Sequence, residues 1–520
     1  SQELARTETT WLTSTVDLPI SGYSSMDESE KPRFAYVSQM DSYLDGDKQT
    51  RTQYQYEKSR QGGTYVYGNV TEQKEYGSST GSSWDTQPQR TTYTWYYPNH
   101  SSWIVNKPGR SDFYKVCYGC SGGAMERQSL LYYDQTSSYT TAPSDGLLKK
   151  REDKSTSGGS YTVTTTFDHW SNGNLKQVSD SNGNDTYTFF DDQFEAFAVC
   201  TKNEKGHTTK FRYYGVEGSD ESGCTTTDGS AAWSGGSPVS GRFFGRLEES
   251  KDANDVATTY RYDALGRLDE VWLWPDSSSY PTVELAYANY SSSSSPYRVE
   301  TKQRETAGQS GQLVSNQIYD GFGRVIQSRS EGETWTQPSV TSTQYDGLGR
   351  VEKQSVPYWG TAGPGTFQPP GWASLDETLY DYDGLRRVIT TTLPDGSTML
   401  NIHDGRDTTV VDEENHQVVY ESDAFGRLIV VKEYTGTYPS NLTLYATTVY
   451  TYTAQDLLAK VEDEDENVTT VSYDGLGRKT AMDDPDMGEW DYGYDSVGNL
   501  TRQDDAEHQR TCFYYDGLNR

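Results

Sequence analysis

A short unit that recurs along this chain limits its fold more than any other sequence feature. The clearest copy is Asn467–Arg478, in which residues 468–473 are mostly β-branched or aromatic, a composition that favours a β-strand. Asp474 then opens a turn in which its carboxylate can accept backbone N–H groups. Gly477 can adopt the positive φ that a tight hairpin requires, and Arg478 starts the next extended segment. The unit therefore predicts one β-hairpin.

Copies of the motif Tyr-Asp-x-x-Gly-Arg, complete or altered, run through the C-terminal half of the chain. The motif residues are Tyr262, Asp263, Gly266, Arg267, Tyr319, Asp320, Gly323, Arg324, Tyr345, Asp346, Gly349, Arg350, Tyr382, Asp383, Tyr473, Asp474, Gly477, Arg478, Tyr494, Asp495, Tyr515 and Asp516. The copies at residues 452, 473, 494 and 515 are each 21 residues apart. A fixed period near 20 indicates an array in which each unit packs on its neighbours.

We predict a structural role for each motif position. The tyrosine stacks, the aspartate caps the turn, the glycine provides the turn and the arginine pairs with a carboxylate. The apolar residue inside the turn, Leu476 in the clearest copy, is expected to fold back onto an apolar face.

Composition supports sheets rather than a thick aliphatic core. Only 32% of the 520 residues are apolar, yet 42 residues are Tyr. Tyrosine-rich strands suit sheets that water reaches and that aromatic contacts hold together. Low hydrophobicity with high charge is also typical of disordered chains, but the aromatic residues here are abundant and periodic. The prediction is an all-β array of tandem hairpins.

These motifs resemble the YD repeats of RHS-repeat proteins, a family that includes bacterial RHS toxin shells, Tc toxin B and C components and teneurin YD shells. The resemblance is dense over residues 262–520 and looser over 167–262. It implies YD-repeat β-hairpins in a continuous spiralling sheet that forms a hollow shell or tube. Residues 1–165 would be an N-terminal β region with looser repeats and residues 166–520 the YD-repeat array, both continuing in a longer parent protein.

The resemblance also implies a structural role without catalysis, in which the segment encapsulates or displays another polypeptide. An alternative is an extracellular filament or adhesion component built from YD-repeat tubes, and a third hypothesis is a carbohydrate-active enzyme. The implied partners are other segments of the same long chain, an enclosed C-terminal polypeptide or identical subunits, with surface carbohydrate or a receptor as a further partner. The implied location is secreted or at the cell surface.

Net charge limits the other partner classes. The chain carries a formal net charge of −31, so nucleic acid is a poor partner because its phosphates would be repelled. The sequence contains no run of 18 apolar residues and therefore predicts no membrane insertion.

The sequence predicts no catalytic, cofactor-binding or metal-binding residue. The six His residues are dispersed and form no paired-ligand motif. Asp483–Asp486 contains an Asp-Pro pair similar to the self-cleaving segment of RHS toxin cores, but it lies inside a repeat, so a turn is the preferred interpretation. Asp463–Glu466 lacks the spacing of a calcium-binding loop and is interpreted as a solvated hairpin tip.

The five Cys residues leave three alternatives open, namely free thiols, one or more disulfides, or a zinc site. They are Cys117, Cys120, Cys200, Cys224 and Cys512. Cys117 and Cys120 form a C-x-x-C pair, but zinc would need two further ligands beside it. Because five is odd, at least one thiol lacks an intrachain disulfide partner. The seven Asn-x-Ser/Thr sequons are attributed to chance in a Ser/Thr-rich chain.

One interruption of the array, Pro357–Trp372, is rich in Pro, Gly and aromatic residues. Exposed aromatic residues favour interfaces, so the loop could be a contact surface or a plug inside a shell. The preferred interpretation is a surface loop that packs locally on the sheet. Trp359 and Trp372 would matter for the enzyme hypothesis if they met two carboxylates in a cleft.

Overall fold

The all-β prediction is confirmed. The computed structural model describes residues 5–15, 33–44, 47–56, 68–99, 101–115, 124–157, 161–216, 243–276, 279–288, 296–334 and 336–520. These residues form 36 strands and one short 3₁₀ helix, Trp372–Ser374, and within them there is no α-helix.

The strands follow one another closely along the chain. The first ten are β1 (Ala5–Thr15), β2 (Arg33–Leu44), β3 (Asp47–Tyr56), β4 (Val70–Tyr76), β5 (Arg90–Tyr96), β6 (Pro108–Lys115), β7 (Ala124–Tyr133), β8 (Leu148–Ser155), β9 (Thr162–His169) and β10 (Leu175–Ser179). The next sixteen are β11 (Asp185–Phe190), β12 (Ala198–Lys202), β13 (Thr208–Tyr213), β14 (Leu247–Lys251), β15 (Ala257–Tyr262), β16 (Leu268–Leu273), β17 (Val283–Ala288), β18 (Arg298–Arg304), β19 (Gln312–Tyr319), β20 (Val325–Ser330), β21 (Ser339–Tyr345), β22 (Val351–Ser355), β23 (Tyr358–Trp359), β24 (Glu377–Tyr382), β25 (Val388–Thr392) and β26 (Thr398–Asp404). The last ten are β27 (Asp407–Val411), β28 (Gln417–Ser422), β29 (Leu428–Thr437), β30 (Ser440–Tyr452), β31 (Leu458–Glu462), β32 (Val468–Tyr473), β33 (Lys479–Asp484), β34 (Gly488–Tyr494), β35 (Leu500–Asp504) and β36 (Arg510–Cys512).

The chain divides into two compact units. Unit 1 contains residues 1–185 and 401–520, and unit 2 contains residues 186–400. This division follows spatial proximity and does not test the boundary between residues 165 and 166, which stays a prediction.

Within each unit, successive strands pair antiparallel as a series of hairpins. In β15–β16, for example, Thr258 pairs with Leu273, and in β32–β33 Thr470 pairs with Asp483. The short β23 pairs with the first residues of β21 while β22 pairs with its last residues, so the sheet divides where the 357–372 loop is inserted.

A β-bulge marks one end of most hairpins. The register shifts where the strand reaches the motif tyrosine, for example at Tyr262, Tyr319 and Tyr473. A bulge of this kind bends the strand and increases its twist locally. We call the side of the sheet that carries these turns the Tyr-Asp edge, and the side with the alternate turns the opposite edge.

The interior is polar to an unusual degree. Among the described residues, 17 polar or charged residues are buried against 12 apolar ones. Val340 and Ile318 are among the most deeply buried aliphatic side chains, yet they pair across neighbouring strands with the buried Arg329 and Gln327. The sheets therefore depend on hydrogen-bonded side chains and aromatic contacts, as the composition indicates.

Backbone geometry explains why a glycine stands directly before the motif arginine. Gly266, Gly323 and Gly477 have φ of 77°, 79° and 82°, in the left-handed region where a β-carbon is strained. Arg386 and Asn519 occupy the same turn position with φ of 68° and 60°, so some repeats tolerate this strain.

The two glycines of the β19–β20 turn provide a matched test. Gly323→Ala places a β-carbon at positive φ and should lower the stability of this hairpin by about 1–2 kcal/mol. Gly321→Ala should change stability by only a few tenths of a kcal/mol, since its φ is not positive and a β-carbon there meets nothing within 4 Å. Hydrogen exchange of the β19 and β20 amides measures both effects. Equal protection in the two variants would refute the turn assignment.

Candidate functional site

The motif aspartate organises each turn on the Tyr-Asp edge. In the β15–β16 turn, Asp263 Oδ1 accepts hydrogen bonds from the backbone N–H groups of Leu265 and Arg267, both at 2.9 Å. The Arg267 guanidinium donates through Nε to Asp263 Oδ2 at 2.7 Å. Backbone bonds also join Asp263 N to Arg267 O and Gly266 N to Asp263 O, both at 2.8 Å. One carboxylate thus satisfies the turn backbone and fixes the arginine.

The same arrangement recurs in the other copies of the motif. Arginine Nε lies 2.6–2.8 Å from the aspartate Oδ2 in the pairs Asp320–Arg324, Asp346–Arg350, Asp383–Arg387, Asp423–Arg427 and Asp474–Arg478. Asp516 pairs with Arg520, whereas Asp495 pairs with the amide of Asn499. Asp474 is only 1% exposed, so removal of its arginine would leave a buried carboxylate without its ion-pair partner.

Tyrosine and arginine link each repeat to the next. Tyr345 donates its hydroxyl hydrogen to the carbonyl oxygen of Val325 at 3.0 Å. Val325 directly follows Arg324, whose guanidinium lies 4.4 Å from the centre of the Tyr345 ring. The arginine therefore holds the aspartate of its own turn and stacks on the tyrosine of the next repeat, a favourable cation–π geometry.

This link is present along both units. The arginine-to-ring distances are 5.3 Å for Arg246–Tyr262, 4.0 Å for Arg267–Tyr287, 4.6 Å for Arg350–Tyr382, 5.3 Å for Arg427–Tyr452 and 4.8 Å for Arg478–Tyr494. Tyr287 has the same role although Ala288, not Asp, follows it, and sequence reasoning missed it for that reason. Its hydroxyl donates to Leu268 O at 2.7 Å; the only signal in the sequence is its place at the end of a strand.

Burial and hydrogen bonding shift the ionisation of these groups. Partial burial disfavours the charged form of Asp263, but hydrogen bonds from the Arg267 backbone and guanidinium outweigh it and lower the Asp263 pKa. The hydrogen bond from the Arg520 guanidinium is the main cause that lowers the pKa of Asp516 to about 2. Burial raises the pKa of Tyr473, so its hydroxyl remains a donor.

In unit 1 the Tyr-Asp edge of the C-terminal repeats lies against the opposite edge of the N-terminal strands. Gly475 N donates to Ser155 Oγ at 2.8 Å and to Ser157 O at 3.2 Å. The Arg478 guanidinium lies 4.6 Å from the centre of the Tyr161 ring. A β-carbon on Gly475 would collide with the carbonyl oxygen of Glu126. The residue directly after the motif aspartate therefore has to be glycine in this repeat, so that the turn can approach the Glu126 backbone.

Further bonds extend this contact along the edge. Arg406 donates to Ser78 O at 2.8 Å, Arg90 pairs with Asp456 at 2.5 Å, and Ser496 Oγ lies 2.5 Å from Asn182 Oδ1. The bonded residues are 314 to 366 positions apart in the chain. We call this set of bonds the edge contact.

The residue inside the turn differs in burial from one repeat to another. Leu476 is half-buried, whereas Leu265, Phe322 and Leu348 are 74%, 87% and 62% exposed. The expectation that this side chain folds onto an apolar face is therefore wrong for these three repeats, in which most of the side chain surface is exposed.

The opposite edge uses a similar turn. Asp463 Oδ1 accepts the backbone N–H groups of Asp465 and Asn467, and Asp484 accepts those of Asp486 and Met487. Both acidic sequences thus form hairpin turns, as interpreted. Among the described residues no group of His, Cys, Asp and Glu side chains is arranged to hold a metal ion.

Two of the five cysteines lie among the described residues. Cys200 is disulfide-bonded and buried, and Cys512 is a free, exposed thiol. Cys117, Cys120 and Cys224 lie outside the described residues.

The 357–372 loop packs on the sheet of unit 2. Tyr358 Oη lies 2.9 Å from Ser342 Oγ, and Lys353 Nζ lies 4.5 Å from the centre of the Trp372 ring. The buried Arg329 donates to Ala362 O at 2.8 Å, and burial lowers the pKa of its guanidinium. Trp359 alone remains 62% exposed. Sequence reasoning missed Arg329, which carries no motif.

Comparison with known proteins places this geometry in a known architecture. The crystal structure of TcdB2-TccC3-Cdc42 matches 98% of this chain with a TM-score of 0.73 and 12% identity. A crystal structure of TcdB2-TccC3 without its hypervariable C-terminal region matches with a TM-score of 0.74 and 13% identity, again over 98% of the chain. The chain has the fold of RHS-repeat shells. The Photorhabdus luminescens Tc holotoxin pore also matches, with a TM-score of 0.66, 12% identity and 99% of the chain covered.

The match covers only part of the Tc toxin chains. The chain spans about a third of the length of these chains, 33–34%. A family model described as a domain of unknown function, DUF6443, matches residues 293–401. No curated protein matches the sequence.

A pair of equivalent glycines tests the edge contact. Gly475→Ala should lower the stability of the contact by about 1–3 kcal/mol, because a β-carbon overlaps the Glu126 carbonyl. Gly347→Ala, at the same turn position, should have little effect, since its β-carbon meets nothing within 4 Å and Ala264 occupies this position in another repeat. Hydrogen exchange at residues 155–157 should accelerate only in the first variant. Unchanged exchange there would contradict the contact.

The lowered aspartate pKa values predict an acid transition. A carboxylate with a lowered folded-state pKa contributes stability that is fully present above its unfolded pKa of 3.8 and is lost as pH falls toward about 2. The free energy of unfolding should therefore fall with pH across this window. Asp346→Asn should reduce the dependence of the unfolding free energy on pH, because the hydrogen bonds that lower the Asp346 pKa then act on a group that does not titrate. Urea unfolding at a series of pH values measures the free energy of unfolding of the unmodified protein and of the Asp346→Asn variant. If this free energy had the same slope against pH in both proteins, the predicted linkage to Asp346 would be refuted.

Proposed function

We propose that this chain is a segment of a structural YD-repeat shell that encloses or displays another polypeptide and performs no catalysis itself. The observation that carries the proposal is the edge contact in unit 1. A strip of hairpins whose two edges bond to each other forms a continuous wall, and paired edges also prevent aggregation through exposed strands.

The wall would be held together from repeat to repeat by the tyrosine–arginine–aspartate link. Each link joins a turn to its neighbour without requiring a thick apolar core, which suits a sheet whose buried residues are mainly polar. A thin wall of this kind leaves its enclosed volume to another polypeptide. The matching TcdB2-TccC3 structures support this role by fold alone.

Location and partners follow from the same proposal. A disulfide at Cys200 favours an oxidising, extracellular destination, and no helix among the described residues is long and apolar enough to cross a membrane. The proposed partners are further segments of the same polypeptide and an enclosed C-terminal polypeptide, in a secreted or surface-bound protein.

Protease protection tests the enclosure. In the full-length parent protein, a polypeptide inside the wall should be digested at least about tenfold more slowly than the same polypeptide made alone. Gly475→Ala should increase the digestion rate by loosening the edge contact, whereas Gly347→Ala should not. Digestion of the enclosed polypeptide at its free rate would overturn the proposal, and a fibrous parent protein without protection would favour the filament role.

A further inference from the structure

The pairing between β16 and β17 is short compared with the pairings on either side of it. It contains only two residue pairs, Glu270–Glu284 and Val271–Val283, whereas the β15–β16 pairing contains five and the β17–β18 pairing contains six. We call it the β16–β17 join. Because each residue pair contributes backbone hydrogen bonds and cross-strand side-chain contacts, this join is a weak point in the sheet of unit 2.

Side chains hold both ends of the join, where the ladder of residue pairs stops. At one end, Tyr287 donates its hydroxyl hydrogen to Leu268 O at 2.7 Å. At the other end, Leu273 N donates to Thr282 Oγ1 at 2.8 Å. The two residue pairs between these ends therefore carry the backbone pairing, and one of them consists of two glutamates.

Like charges stand opposite each other in the Glu270–Glu284 pair. The β-carbons of directly opposite residues lie about 5 Å apart, and like charges at such positions destabilise a strand pair. Glu284 has cationic partners on β18, since Lys302 Nζ lies 3.2 Å from its Oε2 and Arg304 Nη2 lies 4.0 Å from its Oε1. Gln312 Nε2 also donates to Glu284 Oε1 at 2.7 Å. These partners lie on the side of Glu284 away from β16.

Glu270 is held less well than Glu284. Its Oε2 is buried and accepts no hydrogen bond from the described residues, and its contact with Arg261 Nη1 on β15 is 3.9 Å long. Burial is the main cause that raises the pKa of Glu270; the charges of Asp269 and Glu284 add to the rise, and the Arg261 guanidinium opposes it. Glu270 is thus the member of the pair whose charge the surroundings support least.

We propose that Glu270 makes the β16–β17 join proton-controlled, so that the join is firm in mildly acidic surroundings and loosens as the pH rises toward neutral. The contribution of Glu270 to stability is fully present below its unfolded pKa of 4.5 and is lost as the pH rises through the higher folded-state pKa. The motif aspartate Asp346 acts in the opposite sense, because its contribution is lost as the pH falls below 3.8. The proposal concerns the sheet itself and does not depend on an enclosed polypeptide.

Amide hydrogen exchange of the chain between about pH 5 and pH 7.5 tests the join. Protection factors, which are corrected for the direct effect of pH on exchange, should fall about two- to fivefold at residues 270–271 and 283–284 as the pH rises. In the Glu270→Gln variant, which keeps the size of the side chain and removes its charge, the protection factors should stay at the acidic value throughout.

The Glu300→Gln variant on β18 is the matched control. Glu300 pairs with the neutral Ala286 and Asn316 on its neighbouring strands, so this variant should retain the full pH dependence at the join. The proposal is overturned if protection at the join is independent of pH in the unmodified chain, a result that does not require any variant to fold. It also fails if Glu270→Gln keeps the pH dependence or if Glu300→Gln abolishes it.

Discussion

The structure depends on one carboxylate in most of its repeats. The motif aspartate accepts two backbone N–H groups and the arginine guanidinium of the same turn, as Asp263 does. This bonding fixes the arginine where it can stack on the tyrosine of the next repeat. Without the carboxylate, the turn would lose its cap and the arginine its orientation, so the link between repeats would fail with it. Charge-assisted hydrogen bonds of this kind are among the stronger ones in proteins.

Repeats with altered motifs show which part of this arrangement is essential. Thr453 replaces the aspartate and still accepts N–H groups from Gln455 and Leu457 through Oγ1, at 3.2 Å each. The preceding Tyr452 keeps both its hydroxyl bond to Leu428 O and its stacking on Arg427. The cap can therefore weaken in one repeat while neighbouring repeats hold the tyrosine in place, as expected of an array with nearest-neighbour coupling.

Sequence reasoning was sufficient for the local features and insufficient for the distant ones. The alternation of β-formers with Asp-x-x-Gly turns predicts hairpins because strand and turn preferences act over a few residues. The tyrosine hydroxyl bond from Tyr473 to Leu458 O spans 15 residues and is not encoded in any motif. The edge contact at Gly475 spans 320 residues. The identical local sequence at Gly347 makes no such contact with any residue that the structure describes, so no local pattern could distinguish the two glycines. For the same reason the exposure of Phe322 and Leu348 could not be foreseen.

A cryo-electron microscopy map of the parent protein tests the central claim most directly. The map is expected to show a thin wall of hairpins around an enclosed volume, with the turns at residues 423–427 and 474–478 resting on the loops at residues 77–89 and 155–157. A solid particle without an enclosed volume, or a wall in which these turns and loops are far apart, would contradict it.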